Sequence, residues 1–155
     1  KIGKIEYPGT VEGGDILLSE RVAFIGQSGR TNPEGAEQIA RILRAIGFET
    51  RITRVPSPFL HLGGAMTLLG PDSILCVNNL FPQKFLSGFQ CIEVPDTGFI
   101  SGNVIPLSDR QAIADRSNHP VIETLQLHDF TVFPLDLSEF VKGRGGPSCL
   151  ILEVK

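Results

Sequence analysis

The sequence predicts an α/β fold in which a strand–strand–helix–strand unit is repeated, within one domain spanning residues 1–155. Three observations support this prediction. Short β-rich runs alternate with helical stretches, the same order of elements recurs along the chain, and 41% of the 155 residues are hydrophobic, which suits one globular core. Units that cannot each bury a face alone are expected to pack side by side around a common axis, with a pocket at their central ends.

The first unit is the most regular. Asp15–Leu18 and Val22–Ile25 are β-rich runs separated by a few polar residues, which is the pattern of a tight hairpin. The pair Asn32–Pro33 is typical of a helix start, and apolar residues then recur at helical spacing until Gly47. Phe48–Val55 alternates as a strand and completes the unit.

The second unit repeats this order with little sequence identity. We expect two strands, a short helix and a further strand, at Ala65–Leu69, Ile74–Val77, Pro82–Leu86 and Gln90–Val94. The stretches rich in proline and glycine, residues 56–58 and 143–147, are too short to be domain linkers. The whole chain is therefore expected to form one domain.

The third unit is the least regular. Its expected elements are a strand, a helix, a strand, a helical turn and a final strand, at Asn103–Leu107, Pro120–Leu127, Thr131–Leu135, Leu137–Val141 and Cys149–Val154. Residues 108–115, SDRQAIAD, are interpreted as a loop or a helix. One strand of this unit is therefore missing from the prediction.

Composition excludes several classes of function. The net charge is -3, and acidic and basic residues are scattered with no basic block, so we expect no nucleic-acid partner. No apolar run approaches the roughly 20 residues of a membrane-spanning helix. The three cysteines cannot all pair within the chain and lack the close spacing of a zinc site. A reducing, cytoplasmic location is therefore favoured.

The cysteines differ in their surroundings. Cys76 and Cys91 lie in short apolar runs, where cysteine commonly behaves as a small buried hydrophobe. Cys149 closes the run GRGGPSC, in which glycines and a proline expose the backbone and bend the chain ahead of the sulfur. Cys149 is therefore the candidate nucleophile.

Two residues are candidates to assist this thiol. His61 is followed by two glycines that leave room for a ligand, although a histidine making a structural hydrogen bond is the simpler interpretation of the residue alone. Glu12 precedes two glycines and an apolar strand; it is either a solvated turn residue or a partner that orients an imidazole. Asp15 is expected to cap the same turn.

The remaining charged candidates are Arg30 and two histidines. Arg30 precedes a helix start, and its planar guanidinium suits a carboxylate, although a surface arginine is the alternative. Its loop is not a phosphate-binding loop, because no GK[ST] follows. His119 and His128 lie in polar surroundings and are expected on the surface.

The ordered motifs EGGD, GxxxRTNxxGA, LHL and a C-terminal cysteine after a glycine-rich turn resemble the pentein superfamily of guanidino-group-modifying enzymes, and within it the dimethylarginine dimethylaminohydrolases. The resemblance extends from about Val11 to Val154. It implies a partial α/β propeller, with three of the five ββαβ modules of the family. We expect the first two modules on a missing N-terminal half or a second chain, and a homo-oligomer is possible. In the family, this half supplies an acidic residue for the guanidinium nitrogens.

The resemblance also implies roles for the candidate residues. It makes Cys149 the nucleophile that attacks the guanidinium carbon of a small substrate and His61 the general acid and base. Glu12 is then the partner of His61, and Arg30 binds the substrate's α-carboxylate. The implied reaction is hydrolysis of arginine or an N-methylated arginine to citrulline and an amine through a covalent cysteine intermediate, without a metal or an organic cofactor.

Two departures from the family pattern leave alternatives open. Gly63 follows LHL where the hydrolases usually have lysine, and the turn GGPSC resembles those of arginine deiminases and amidinotransferases. These two activities, and a non-enzymatic pentein-fold binding protein, are therefore the alternatives.

Overall fold

The computed structural model describes residues 3–108 and 110–151, and the chain forms two compact units, one ending at Gly63 and the other beginning at Gly64. The strands are β1 Ile16–Leu18, β2 Val22–Gln27, β3 Glu49–Arg54, β4 Met66–Gly70, β5 Ser73–Val77, β6 Gln90–Val94, β7 Ile105–Ser108, β8 Gln111–Asp115 and β9 Thr131–Leu135. The helices are α1 Pro33–Ala45, α2 Leu62–Ala65, α3 Gln83–Leu86, α4 His119–Leu127 and α5 Ser138–Lys142, with 3-10 turns at Gly13–Asp15 and Pro147–Leu150.

The first unit contains one ββαβ module. β1 pairs antiparallel with β2, and β3 returns parallel to β2 after α1. The side chain of Asn32 accepts a hydrogen bond from the Gly35 N–H at 2.8 Å and Pro33 opens the helix, as predicted. Gly47, at φ +103°, takes the left-handed conformation that follows many helix ends.

Small residues let α1 lie close to the sheet and to the N-terminal segment around Thr10. Ala36 and Ala40 of the helix are fully buried in one cluster with Ala23 and Ile25 of β2. A Cβ atom at Gly35 would overlap the backbone of Thr10. Only glycine fits this position without a shift of the chain.

The second unit contains two further modules. In each, the first two strands are antiparallel and the third is parallel to the second, giving the sheet orders β4-β5-β6 and β7-β8-β9. Helix α4 packs against both β6 and β9 and so joins the two modules. The predicted repetition of ββαβ units is confirmed. No helix within the described residues is long and apolar enough to cross a membrane.

The structure corrects two predictions in the third module. Gln111–Asp115 is a strand rather than a loop or helix, with Ala112 and Ala114 buried and Gln111 exposed. The alternation was hidden because alanine is also a strong helix former. The tight turn before this strand includes Arg110 at φ +57°, while Asp109 lies outside the described residues.

The prediction of a strand at Cys149–Val154 is wrong for residues 149–151, the part of it that the structure describes. Pro147 opens a 3-10 turn, and the Cys149 N–H bonds the Gly146 carbonyl at 3.1 Å within that turn instead of pairing with a neighbouring strand. Residues 152–155 lie outside the described part of the chain.

Candidate active site

Three of the four predicted site residues meet at one edge of the first sheet. Glu12 precedes β1, and Arg30 lies in the loop after β2. His61 lies beyond β3, which is parallel to β2. Because β1 runs antiparallel to β2, its beginning lies at the edge where β2 ends. All three residues therefore lie in connections at the same edge of the sheet.

Glu12 and His61 are in direct contact. His61 Nε2 lies 2.6 Å from Glu12 Oε2, and the two side chains are 21% and 43% exposed. An ionised carboxylate only accepts hydrogen bonds, so this contact places a proton on Nε2. Nδ1 is then the ring nitrogen that remains for proton exchange with a reactant.

Arg30 contacts the other oxygen of the same carboxylate. Its Nη1 lies 3.4 Å from Glu12 Oε1, and about half of each side chain is exposed. Such a long, solvated ion pair contributes little to stability. The guanidinium of Arg30 is therefore available to a second carboxylate, such as one on a ligand.

Gly14 explains the second glycine of the EGGD motif. A Cβ atom on Gly14 would lie 2.7 Å from His61 Cγ and 2.9 Å from Nδ1, closer than non-bonded atoms tolerate. At Gly13 the same addition would meet no described atom within 4 Å. The ring of His61 therefore packs directly against the Gly14 backbone.

Asp15 does more than cap a turn. Its side chain is fully buried and accepts hydrogen bonds from Ser28, Thr31 and Leu62. The sequence pointed to a structural role for Asp15 but gave no signal for these partners, because one is a backbone N–H group and two are hydroxyl groups distant in sequence.

Cys149, the fourth predicted residue, belongs to the second unit and is exposed. Its turn is anchored by Asn103, which accepts from the Ser148 N–H at 3.0 Å and donates to Ser148 Oγ at 2.9 Å. A Cβ atom on Gly146 would meet Asn103 Cγ and Ile100 Cγ2 at 2.9 Å each. The turn is thus tightly packed just before the thiol, and the sequence had given no role to Asn103 beyond a strand.

The other two cysteines are less accessible than Cys149, and the other two histidines lie on the surface. Cys76 is buried as predicted, and burial raises the pKa of its thiol to about 12. Cys91 is only half-buried, so its predicted burial is partly wrong, although burial also raises the pKa of this thiol. His119 and His128 are exposed, as predicted. Cys149 is therefore the most accessible thiol of the three.

The family model for arginine deiminase matches residues 4–96, which is more than half of the chain. The chain belongs to the arginine deiminase family. A curated relative, the N(G),N(G)-dimethylarginine dimethylaminohydrolase of Pseudomonas aeruginosa, is 32% identical over 98% of this chain and 59% of its own length. The family resemblance of the sequence motifs is therefore confirmed.

Solved structures agree with this membership. A cysteine-to-serine mutant of the dimethylarginine dimethylaminohydrolase from P. aeruginosa, complexed with citrulline, is 31% identical, with a TM-score of 0.78 over 92% of this chain and 55% of that chain. An amidinotransferase from Microseira wollei, at 22% identity, shares the fold with a TM-score of 0.81 over 96% of this chain and 48% of that one. The fold is that of the pentein superfamily, and the chain spans about half the length of these relatives.

Proposed function

We propose that this chain carries the nucleophile and the acid–base residues of a hydrolase that acts on the guanidino carbon of arginine or an N-methylated arginine. The products are citrulline and an amine. The observation that carries the proposal is the 2.6 Å contact between His61 and Glu12, which gives one ring nitrogen a fixed proton and leaves the other to react. The similarity to a dimethylarginine dimethylaminohydrolase supports the choice of substrate class.

The proposed reaction has two steps. Cys149 gives its proton to His61, and its sulfur forms a bond with the guanidinium carbon while the bond from that carbon to the leaving nitrogen breaks. His61 returns the proton to the departing amine. A covalent thiouronium remains on Cys149.

Water completes the cycle. His61 accepts a proton from a water molecule, whose oxygen forms a bond with the thiouronium carbon. The hydroxyl of the adduct then loses its proton to solvent as the carbonyl forms, the carbon–sulfur bond breaks, and His61 returns its proton to the sulfur, which releases citrulline and restores the thiol of Cys149. Both steps require Cys149 and Nδ1 of His61 to face the same substrate carbon. We propose that they do so when the substrate is bound.

Arg30 is proposed to bind the α-carboxylate of the substrate. The 3.4 Å pair with Glu12 is long and half-exposed, so a substrate carboxylate can displace it and form the shorter, two-point pair that a guanidinium favours. This displacement leaves the Glu12 carboxylate to His61 alone. Substrate binding would then strengthen the contact on which the chemistry depends.

The third sheet supports the proposal that further protein completes the propeller. Ile105, Ile113 and Phe133 form a row across β7, β8 and β9, and Phe133 and Leu135 are 43% and 45% exposed. We infer that an N-terminal half or a second chain covers this apolar face; a second copy of this chain is the alternative. Three free cysteines fit the proposed cytoplasmic location.

The proposal is tested with full-length protein and three substrates: arginine, monomethylarginine and asymmetric dimethylarginine. Citrulline is measured together with ammonia, methylamine and dimethylamine, which identifies the leaving group. We expect turnover to be lost in Cys149→Ser and kept in the matched variant Cys91→Ser. Equal turnover by Cys149→Ser would contradict the mechanism.

An arginine deiminase is the second candidate, because the matching family model is that of arginine deiminase. It would release ammonia from arginine and leave the methylated substrates intact. Product formation that depends on an added amine would identify an amidinotransferase. A binding protein without activity would show no turnover, and its Cys149 would react with iodoacetamide no faster than the thiol of an unstructured cysteine peptide.

A further inference from the structure

Asp15 is a fully buried acidic side chain that the proposed reaction does not use. Its Oδ2 accepts hydrogen bonds from Ser28 Oγ at 2.6 Å and Thr31 Oγ1 at 2.7 Å, and its Oδ1 accepts from the Leu62 N–H at 2.9 Å. Burial of a charge is costly unless hydrogen bonds replace the lost water. The two oxygens of Asp15 have three hydrogen-bond partners within the protein, and these replace the water that the side chain loses on burial.

The two hydroxyl groups that bind Asp15 also accept hydrogen bonds from the backbone of two candidate site residues. Thr31 Oγ1 accepts a hydrogen bond from the Glu12 N–H at 3.1 Å, and Ser28 Oγ accepts from the Arg30 N–H at 3.0 Å. Because each hydroxyl has a backbone donor on one side, its own proton is directed to Asp15.

The third hydrogen bond holds the segment of His61. Leu62, whose N–H donates to Asp15, is the next residue after His61 and is fully buried. The carboxylate also lies close to the backbone of β2, because a Cβ atom on Gly26 would lie 2.9 Å from Asp15 Oδ1. Asp15 therefore lies at the junction of the three segments that carry Glu12, Arg30 and His61.

We propose that Asp15 is a positioning residue, which sets the places of Glu12 and Arg30 through Thr31 and Ser28 and that of His61 through the Leu62 N–H. The geometric part of this proposal is independent of the reaction. Its kinetic consequences rest on the function proposed above.

The two hydroxyl groups have different main consequences, although Ser28 Oγ also accepts a longer hydrogen bond from the Thr31 N–H at 3.3 Å. Thr31 fixes the backbone of Glu12, which orients the imidazole, so its loss should lower kcat. Ser28 fixes the backbone of Arg30, which is proposed to bind the substrate's carboxylate, so its loss should raise KM. A residue that only stabilised the fold would not separate the two constants in this way.

The first test compares Thr31→Val with Thr31→Ser in full-length protein. Valine keeps the shape and removes the hydroxyl, whereas serine keeps the hydroxyl. We expect kcat to fall about 100-fold in Thr31→Val, the scale of a misplacement near 1 Å, and to stay near wild type in Thr31→Ser. Ser28→Ala should raise KM with a smaller change in kcat.

The second test changes Asp15 itself. Asp15→Asn places an amide against two hydroxyl protons, and we expect it to affect both kcat and KM. The matched control is Asp129→Asn, whose side chain is 91% exposed and whose φ of +63° suits asparagine. Unchanged kcat in Thr31→Val, together with unchanged KM in Ser28→Ala, would overturn the proposal.

A third measurement does not depend on turnover. A short hydrogen bond between His61 Nε2 and Glu12 should give a downfield ring N–H signal in the proton NMR spectrum, assigned by its loss in His61→Asn. This signal should weaken or shift in Thr31→Val and persist in Thr31→Ser. An unchanged signal in Thr31→Val would contradict the positioning role. If the signal follows the hydroxyl but no guanidino substrate is hydrolysed, the proposed function is wrong and the positioning role stands.

Discussion

His61 is held between the Glu12 carboxylate, 2.6 Å from Nε2, and the backbone of Gly14, which lies against the opposite part of the ring. One neighbour places the proton on Nε2, and the other has no side chain and lets the ring pack against its backbone. The EGGD motif therefore supplies both the orientation of the imidazole and the room for its ring.

Replacement of Glu12 by glutamine tests the first half of this relationship. An amide keeps the approximate shape but cannot stabilise the positive charge that His61 gains when it accepts a proton. We expect kcat to fall about 100-fold or more, the range of general acid–base catalysis. Glu20→Gln, an exposed change of the same kind, should leave kcat unchanged. Equal kcat in the two variants would exclude a role for Glu12.

Replacement of Gly14 by alanine tests the second half. The added methyl group would displace the ring of His61, because the nearest contacts would be with Cγ, Nδ1 and Cβ rather than with a flexible end of the side chain. We expect a loss of turnover in Gly14→Ala while the protein remains folded by circular dichroism. The adjacent Gly13→Ala, with no described atom within 4 Å of the new methyl, should keep its turnover. Equal turnover in Gly14→Ala and Gly13→Ala would contradict this role of Gly14.

Gly35 offers a test of the fold alone. Alanine usually stabilises a helix relative to glycine, but here its Cβ would overlap the Thr10 backbone. We expect Gly35→Ala to lower the free energy of unfolding by about 1–3 kcal/mol, as overpacking does, measured by urea titration. At Gly29 no described atom lies within 4 Å of an added Cβ, so Gly29→Ala should change stability by less than about 0.5 kcal/mol. A stabilised Gly35→Ala would show that the chain at Thr10 moves aside.

Cys76 predicts a loss of stability at alkaline pH. Burial raises the pKa of its thiol from 9.0 to about 12, so the folded protein holds a proton that the unfolded chain loses first. Its contribution is fully present below pH 9.0 and is lost as pH rises toward 12. Cys76→Val should therefore flatten the dependence of the unfolding free energy on pH between pH 8.5 and 10.5. Equal slopes in the wild type and the variant would contradict the buried, protonated thiol.

Local chemistry made much of the fold predictable. The helix start at Asn32 and Pro33, its end at Gly47 and the alternation of the flanking strands all act within a few residues, so the sequence shows them directly. The strand at Gln111–Asp115 was not predicted, because Ala-Ile-Ala suits a helix as well as a strand, and only its pairing with β7 and β9 decides between them. The turn at Cys149 was not predicted, because the residues after it are apolar and resemble a strand.

The candidate site was predictable only in part. The motifs pointed to Glu12, Arg30, His61 and Cys149 through their resemblance to a known family; the structure brings the first three together, and the roles of all four stay a prediction. The anchoring by Asp15 was not visible, because it acts through a backbone N–H group and through hydroxyl groups 13 and 16 residues away. The sequence therefore indicated candidates for the reacting groups, whereas the structure was needed to find what holds three of them in place.

The most direct test of the account is mass spectrometry of full-length protein quenched in acid during turnover of arginine or asymmetric dimethylarginine. The proposed mechanism predicts a thiouronium adduct on the peptide that contains Cys149, and no adduct and no citrulline with Cys149→Ser. An adduct on Cys91, or citrulline formation by Cys149→Ser at the wild-type rate, would contradict the account.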